Sequence, residues 1–206
     1  MFLRRLIITN IELQRAQPKT SSSAAKFSAV QVLQDPQAFA ENLYEYLLRH
    51  DKKVSLDHRI LVVKLLSLVL GTHRLCVLGF YTYILRYLTT RQLRVSAILV
   101  SVAQSIHSWT PPDVVLPVVR KLAQEFLHPG VSSEVVVAGL NCIREVCKRQ
   151  PCCMERDLLG DLVQYRKSKD KSVSMAARSL HQLYRQVDPG LLTKTDRVSW
   201  PIGQKW

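Results

Sequence analysis

Residues 132–151 read SSEVVVAGLNCIREVCKRQP and have the periodicity of one amphipathic helix. Apolar side chains recur every three or four positions and fall on one face: Val136, Leu140, Ile143 and Cys147. The polar side chains between them are predicted to face away: Asn141, Arg144, Glu145 and Lys148. Serine before the helix and Pro151 after it are typical end signals. A helix with one apolar stripe must pack against neighbours.

The rest of the chain repeats this design. Helix starts are predicted after Asp35-Pro36, at Ser55, near residues 75 and 91, after Pro111-Pro112, at 132 or 133, near 158 and after Asp170. Every second start falls near residues 55, 91, 132 and 170, a period of about 40 residues that is typical of armadillo and HEAT repeats. The sequence therefore predicts an all-α, armadillo/HEAT-like helical-repeat solenoid of about eight helices, with a compact helical bundle as the alternative.

Local signals refine this prediction. Gly71 is expected to end the second helix, because glycine adopts the left-handed conformation at low cost. Pro117 is expected to kink the fifth helix or delay its start. We interpret residues 1–26 as a flexible basic segment, 27–193 as the repeat domain and 194–206 as an irregular tail. The first segment also has the composition of a mitochondrial transit peptide.

Composition limits the class of partner. Lys and Arg number 29 against 16 acidic residues, a net charge of +13. This balance favours an anionic partner, which is RNA, an acidic protein segment or a membrane surface. Five cysteines without a C-x-x-C pair indicate no disulfide framework, and Cys142 and Cys147 are expected in the core. No apolar run reaches the roughly 18 residues of a transmembrane helix, so no membrane insertion is expected.

No catalytic or ligand-binding motif is found in the sequence. Phosphate-binding glycine loops, H-E-x-x-H and a nucleophile elbow are not found, and the six histidines do not have metal-ligand spacing. We therefore expect no enzyme activity, no cofactor, no metal site and no small-molecule substrate.

The strongest candidate site is a basic loop between the last two predicted helices. Its four cations are Arg166, Lys167, Lys169 and Lys171. A loop at the edge of a solenoid can present such cations to phosphates, although a solvated loop without a partner has the same composition. Further charge is expected from the flanking helices: Arg144, Lys148, Arg149, Arg178 and Arg185. A weaker candidate combines Arg86, Arg91 and Arg94 with Tyr83 and Tyr87.

Several motifs occur in a specific order along the chain. They are FSAVQVLQDPQAFAE at 27–41, FYTYILRYL at 80–88, AQSIHSWTPPDVV at 103–115, GLNCIRE at 139–145 and DLVQYRKSKDK at 161–171. SMAARSL follows at 174–180. Over about residues 27–193 this series resembles the severe-depolymerization-of-actin (SDA) family, with residues 1–26 and 194–206 outside the resemblance.

The resemblance implies a function. Members of the SDA family look like helical scaffolds that join pre-60S particles in the nucleus and nucleolus and support their maturation and export. The family is also linked to actin organisation. The expected partners are pre-60S proteins and rRNA, and the alternative is an adaptor in protein transport or actin organisation without RNA contact. Since family members are much longer, the chain is interpreted as a shortened form or fragment.

Overall fold

The computed structural model describes residues 29–51, 53–128 and 130–193. Within these ranges the chain forms eight α-helices and four short 3-10 helices, without a strand. The α-helices are α1 (Pro36–His50), α2 (Leu56–His73), α3 (Leu78–Leu85), α4 (Val95–Ser105), α5 (Pro112–Phe126), α6 (Ser133–Arg149), α7 (Arg156–Gln164) and α8 (Lys171–Val187). The prediction of an all-α fold of about eight helices is confirmed.

The even-numbered helices form one layer. Helices α2, α4, α6 and α8 pack side by side in that order, and each odd-numbered helix packs against the helix that follows it. The even-numbered helices begin at residues 56, 95, 133 and 171, which are 39, 38 and 38 residues apart. This regular stacking of helix pairs is the helical-repeat solenoid that the periodicity predicts.

Burial explains why the pairs stack. The apolar stripe of α6 is buried at Val136, Leu140, Ile143 and Cys147. Fully burying one such aliphatic side chain contributes about 1.5–3 kcal/mol. Helix α2 buries apolar side chains on several sides, since α1 and α4 both pack against it. The core is therefore continuous along the repeats.

Predicted helix starts carry the expected caps. Asp35 accepts a hydrogen bond from the Ala38 N–H at 3.0 Å, and Pro36 is the first helical residue of α1. Ser55 accepts from the His58 N–H at 3.4 Å, and Asp170 accepts from the Ser172 N–H at 2.8 Å. These bonds satisfy N–H groups that have no partner inside the helix.

The prediction that Gly71 ends α2 is wrong. Helix α2 continues to His73, and Arg74 takes the left-handed conformation with φ 53°. A Cβ atom on Gly71 would lie 2.1 Å from the Gln104 carbonyl oxygen of α4. Gly71 is thus required by the close approach of two stacked helices.

Two further expectations concern proline and cysteine. Pro117 does not delay α5, which begins at Pro112 and contains Pro117 in its interior. Cys142 and Cys147 are buried as predicted, and all five cysteines, which lie in the described part of the chain, are free thiols. None of the described helices is long and apolar enough to cross a membrane. The segments predicted for residues 1–26 and 194–206 lie outside the described residues.

Replacing Gly71 with alanine tests the close approach. Gly71→Ala is expected to lower the free energy of unfolding by about 1–3 kcal/mol, because the added methyl group collides with the backbone of α4. Gly160→Ala is the matched control, since nothing lies within 4 Å of a Cβ at that position in α7. The control should raise stability by about 0.5–1 kcal/mol through helix propensity. Urea denaturation followed by circular dichroism measures both, and an equal gain in the two variants contradicts the steric explanation.

Candidate cationic edge

Stacking places the helix starts of one layer along a single edge. The starts of α2 and α4 adjoin, since Leu56 and Arg59 line the same small cavity as Ile98. The starts of α6 and α8 also adjoin, because Ser133 hydrogen-bonds the Asp170 carboxylate. The even-numbered helices therefore run parallel. Their N-terminal ends and the turns before them share one edge, toward which the helix dipoles point their positive ends.

The predicted basic loop lies on this edge, in the turn between α7 and α8. A 3-10 helix, Tyr165–Lys167, fills most of the turn. The Tyr165 hydroxyl donates to the Leu127 carbonyl of the preceding turn, and the Ser174 hydroxyl donates to the Arg166 carbonyl at 2.7 Å. The loop is therefore anchored to the preceding repeat and to α8 of its own repeat.

Asp170 strengthens this anchor. Its carboxylate accepts hydrogen bonds from the Ser133 hydroxyl and from the backbone N–H groups of Ser172 and Val173, which together lower the pKa of Asp170. The Asp170 carboxylate therefore caps the N-terminus of α8.

The four predicted cations have different environments. Lys167, Lys169 and Lys171 are exposed, and no carboxylate of the described chain forms an ion pair with them. Arg166 is half-buried. Its Nε donates to the Val163 carbonyl at 3.1 Å, and its Nη1 lies 3.4 Å from both ring nitrogens of His181. Arg166 thus fixes the turn, while the three lysines face solvent.

The weaker candidate lies on the same edge, in the turn between α3 and α4. Asp51 contacts it from the turn between α1 and α2, where its Oδ1 accepts from the hydroxyls of Tyr87 at 2.6 Å and Tyr83 at 2.7 Å, and from Arg59 Nη1 at 3.4 Å. Arg86 lies 3.6 Å from Asp51 Oδ2 and 4.6 Å from the centre of the Tyr83 ring. This Asp51 cluster joins the first two repeats.

Electrostatics favours the ionised form of Asp51. Burial alone raises the pKa of this carboxyl, but the hydrogen bonds from Tyr87, Tyr83 and Arg59 and the charge of Arg86 outweigh it and lower the pKa. Burial and the hydrogen bonds with Tyr87 and Asp51 also raise the pKa of Tyr83. The Tyr83 hydroxyl therefore stays protonated and donates a hydrogen bond to the Asp51 carboxylate.

The arginines of this turn are partly neutralised. Arg86 pairs with Asp51, and Arg94 Nε lies 3.0 Å from Asp57 Oδ1. Arg91 is exposed, and no described carboxylate pairs with it. The tyrosines belong largely to the core, with Tyr83 buried and Tyr87 half-buried.

Sequence reasoning missed a cation of the first turn, the exposed Lys53. The helix starts, 39, 38 and 38 residues apart, carry Lys53 to Gln92, Gly130 and Ser168, so the repeat itself contains no signal for this cation. Exposed cations nevertheless lie in the first, second and fourth turns, at Lys53, Arg91 and Lys169. We define the cationic edge by its exposed basic residues, Lys53, Arg86, Arg91, Arg94, Lys167, Lys169 and Lys171. Its α3–α4 and α7–α8 parts are separated by two helix spacings, roughly 16–20 Å.

Some cations expected beside the loop lie elsewhere. Lys148 and Arg149 are at the opposite end of α6, about 24 Å from its start at 1.5 Å per residue. Arg144 is half-buried between helices, where its Nη1 donates to the Ser179 hydroxyl of α8 at 2.8 Å. Arg178 and Arg185 lie within α8 and not in the turn. The loop's own lysines therefore supply most of its positive charge.

Other chemistry is sparse in the described ranges. Three or more metal-ligating side chains do not come together there. His107 and His181 are buried. His107 hydrogen-bonds the Leu75 carbonyl through Nε2 at 3.0 Å, so it serves packing between the second and third repeats.

Comparison with known proteins identifies the family to which the chain belongs. The sequence profile of a family described as "SDA1, HEAT repeat" matches residues 7–169. The chain belongs to the SDA1 family. It is 49% identical to Protein sda1 of Schizosaccharomyces pombe over 172 residues, which cover 83% of this chain and 24% of that protein. It is 40% identical to the Protein SDA1 homolog of Nematostella vectensis over 190 residues, which cover 92% of this chain and 27% of that protein.

The SDA1 match extends further toward the N-terminus than the motifs do. The profile begins at residue 7, so residues 7–26 also match, although motif comparison had placed them outside the resemblance. A match to the Dictyostelium discoideum homolog, 34% identical, covers 95% of the chain and 26% of that protein. The chain spans about a quarter of the length of the curated relatives it matches. The HEAT-repeat description agrees with the stacked helix pairs of this SDA1 domain.

The Asp51 cluster makes stability of the SDA1 domain dependent on pH. Asp51→Asn is expected to lower the free energy of unfolding by about 1.5–3 kcal/mol near pH 7, the range for hydrogen bonds to a charged group. Because the folded-state pKa is lowered, the carboxylate stabilises the fold above its ordinary value of 3.8. This contribution is lost as the pH falls through the folded-state value. The difference between wild type and variant should therefore shrink below about pH 4.

Asp57→Asn is the matched control. Asp57 also pairs with an arginine, but both side chains of that pair are more than 60% exposed. The control should change stability by less than about 1 kcal/mol. Urea unfolding at pH 3 to 8 measures both variants, and equal losses in the two contradict the structural role of the Asp51 cluster.

Proposed function

We propose that this SDA1-family chain is a non-catalytic ribosome biogenesis factor that acts as a helical scaffold on the pre-60S particle. It supports maturation and nuclear export of the large subunit, and it works in the nucleus and nucleolus. Its partners are pre-60S proteins and rRNA. The observation that carries the proposal is the cationic edge, mounted on a stacked helical repeat of an SDA1 domain.

A loop that holds several exposed lysines in fixed positions is suited to contact the phosphates of rRNA. Lys167, Lys169 and Lys171 project from a loop that is hydrogen-bonded to the preceding repeat and to α8. Phosphate contacts supply much of the affinity of proteins for nucleic acid and do not require a pocket. A second group at the α3–α4 turn, roughly 16–20 Å away, extends the contact along a folded RNA.

The second candidate function is a helical-repeat adaptor in protein transport or actin organisation, without RNA contact. One observation favours it, since Arg86 and Arg94 already pair with carboxylates of the chain itself. Their charge is therefore less available to phosphates. Salt-sensitive RNA binding distinguishes the two functions.

The lysine loop provides the direct test. The triple variant Lys167→Ala, Lys169→Ala, Lys171→Ala is expected to weaken binding of a single-stranded oligouridine measured by fluorescence anisotropy. Each phosphate contact contributes roughly 0.7 to the slope of log affinity against log salt, so three lost contacts should flatten the slope by about 2. Arg166 is kept, because it is bonded within the fold and its loss would disturb the loop itself.

A charge-matched control removes three cations away from the cationic edge. Arg74 follows α2, Lys121 lies in α5, and Lys148 is near the end of α6. Changing Arg74 to glycine and both lysines to alanine lowers the net charge by the same amount. An equal effect of the two triple variants would mean that only overall charge matters, and no effect of either would favour the adaptor.

Particle association tests the broader proposal. The tagged chain should co-sediment with 60S-sized particles in a sucrose gradient of a nuclear extract. The lysine-loop variant should move partly to the light fractions, because it loses its phosphate contacts. A wild-type chain found entirely in the light fractions, while a tagged full-length relative sediments with the particles, counts against the proposal for this chain.

A further inference from the structure

Positive charge is not continuous along the cationic edge. Its cations lie mainly in the α3–α4 turn and the α7–α8 loop, and the α5–α6 turn lies between them, one helix spacing from each. Residues 127–132 of this middle turn read LHPGVS, without lysine or arginine. Two groups of cations roughly 16–20 Å apart therefore flank a turn that contains neither.

The helix that follows the middle turn adds a negative charge. Glu134 lies in the first turn of α6 and is exposed, and no described cation forms an ion pair with it. The acids at the starts of α2 and α8 have partners, since Asp57 pairs with Arg94 and Asp170 caps its own helix. Glu134 is thus an accessible carboxylate between two groups of cations.

The hydroxyl of Ser132 is the second polar group at this position. Ser132 precedes α6 and is exposed, but its side chain forms no capping hydrogen bond, in contrast to Ser55 before α2. The middle of the edge therefore presents one acceptor, the Glu134 carboxylate, and one hydroxyl that can donate or accept.

This arrangement does not suit a single strand laid along the whole edge. A nucleic-acid strand in a helix carries roughly one phosphate per 3.4 Å. A strand that reaches both groups of cations would therefore place several phosphates over the middle turn. There they would meet the carboxylate of Glu134 and no lysine or arginine, and like charges repel.

An RNA duplex avoids this repulsion. Its two rows of phosphates border a wide, shallow minor groove that displays 2′-hydroxyls and base edges. With this groove over the middle turn, one row lies at the α7–α8 lysines and the other at Arg91 of the α3–α4 turn. The donors of the groove, which are 2′-hydroxyls and the N2 amino group of guanine, then face Glu134.

We propose that the RNA bound by the cationic edge is double-stranded and is contacted across its minor groove, an inference that rests on the RNA-binding function. The lysines of the α7–α8 loop pair with phosphates of one strand, and Arg91 pairs with phosphates of the other. Glu134 accepts a hydrogen bond from the N2 amino group of a guanine, and the Ser132 hydroxyl contacts a neighbouring 2′-hydroxyl.

B-form DNA fits the edge less well. Its minor groove is only about 6 Å wide, so its two rows of phosphates lie closer together than the two groups of cations. Its major groove is about 12 Å wide but about 8.5 Å deep, and the guanine amino group is not displayed there. DNA also lacks the 2′-hydroxyl that Ser132 contacts. A DNA duplex of the same sequence should therefore bind more weakly than the RNA duplex.

Replacing guanosine with inosine tests the contact of Glu134. Inosine lacks the N2 amino group and leaves the phosphates unchanged. Fluorescence anisotropy compares two labelled RNA duplexes of about sixteen base pairs, one with G·C and one with I·C pairs, both below their melting temperatures. Wild type should bind the inosine duplex about tenfold more weakly, the effect of losing a hydrogen bond to a charged group.

A pair of variants assigns this preference to Glu134. Glu134→Ala should bind the two duplexes alike, because the acceptor is gone. Asp113→Ala is the matched control, since Asp113 is also an exposed acid in the first turn of a helix. Helix α5 begins at the opposite edge, where Gln150 donates to the Thr110 carbonyl, so this control should keep the preference for guanosine. A purely structural role of Glu134 would not remove a preference for one base.

Both groups of cations should contribute to duplex binding. Each phosphate contact contributes roughly 0.9 to the slope of log affinity against log salt for a duplex. Arg91→Ala should therefore flatten this slope by about 1, and the lysine-loop variant by about 3. Oligouridine with the same number of phosphates should bind wild type more weakly than the duplex.

Three outcomes overturn the assignment of a duplex. They are equal binding of the two duplexes by wild type, a preference for guanosine that survives in Glu134→Ala, and binding of oligouridine as tight as that of the duplex. If the lysine-loop variant still flattens the salt dependence of oligouridine binding, the RNA-binding function stands and only the duplex assignment is wrong. If neither RNA binds at micromolar protein, both are wrong.

Discussion

Parallel stacking of α2, α4, α6 and α8 is the constraint on which the rest of the structure depends. None of the helix pairs can bury its apolar stripe alone, so neighbouring pairs must meet. Close contact requires glycine where backbones approach, as at Gly71 against α4 and at Gly139, whose added Cβ would lie 2.7 Å from the Phe126 side chain. A side chain added at either position would collide with the neighbouring helix, because the core is close-packed.

Parallel helices also give the two edges different electrostatics. N-terminal dipole ends and the cationic turns coincide on one edge, and C-terminal dipole ends coincide on the other. The second edge uses Arg149 to neutralise the last carbonyls of α4, while the first uses Asp170 and Asp57 at helix starts. Parallel packing therefore gives the two edges different arrangements of charge.

Some polar side chains stabilise the fold through contacts that the neighbouring sequence does not predict. Arg166 belongs to a run of cations, yet its guanidinium is bonded to α7 and packed against His181. Asp51, in a short turn, accepts hydrogen bonds from Tyr83 of α3, from Tyr87 in the turn after α3 and from Arg59 of α2. These partners are 8 to 36 residues away along the chain, so local reading cannot predict them.

The sequence by itself determined the helices, their order, the repeat period and the exposed lysines of the α7–α8 loop, because apolar spacing and capping residues act over a few positions. Only the tertiary structure decided that Lys53, Arg91 and Lys169 share one edge, that Gly71 serves packing, and that Glu134 lies between two groups of cations. These features arise from contacts between helices about 38 residues apart, which depend on how neighbouring repeats are aligned in space.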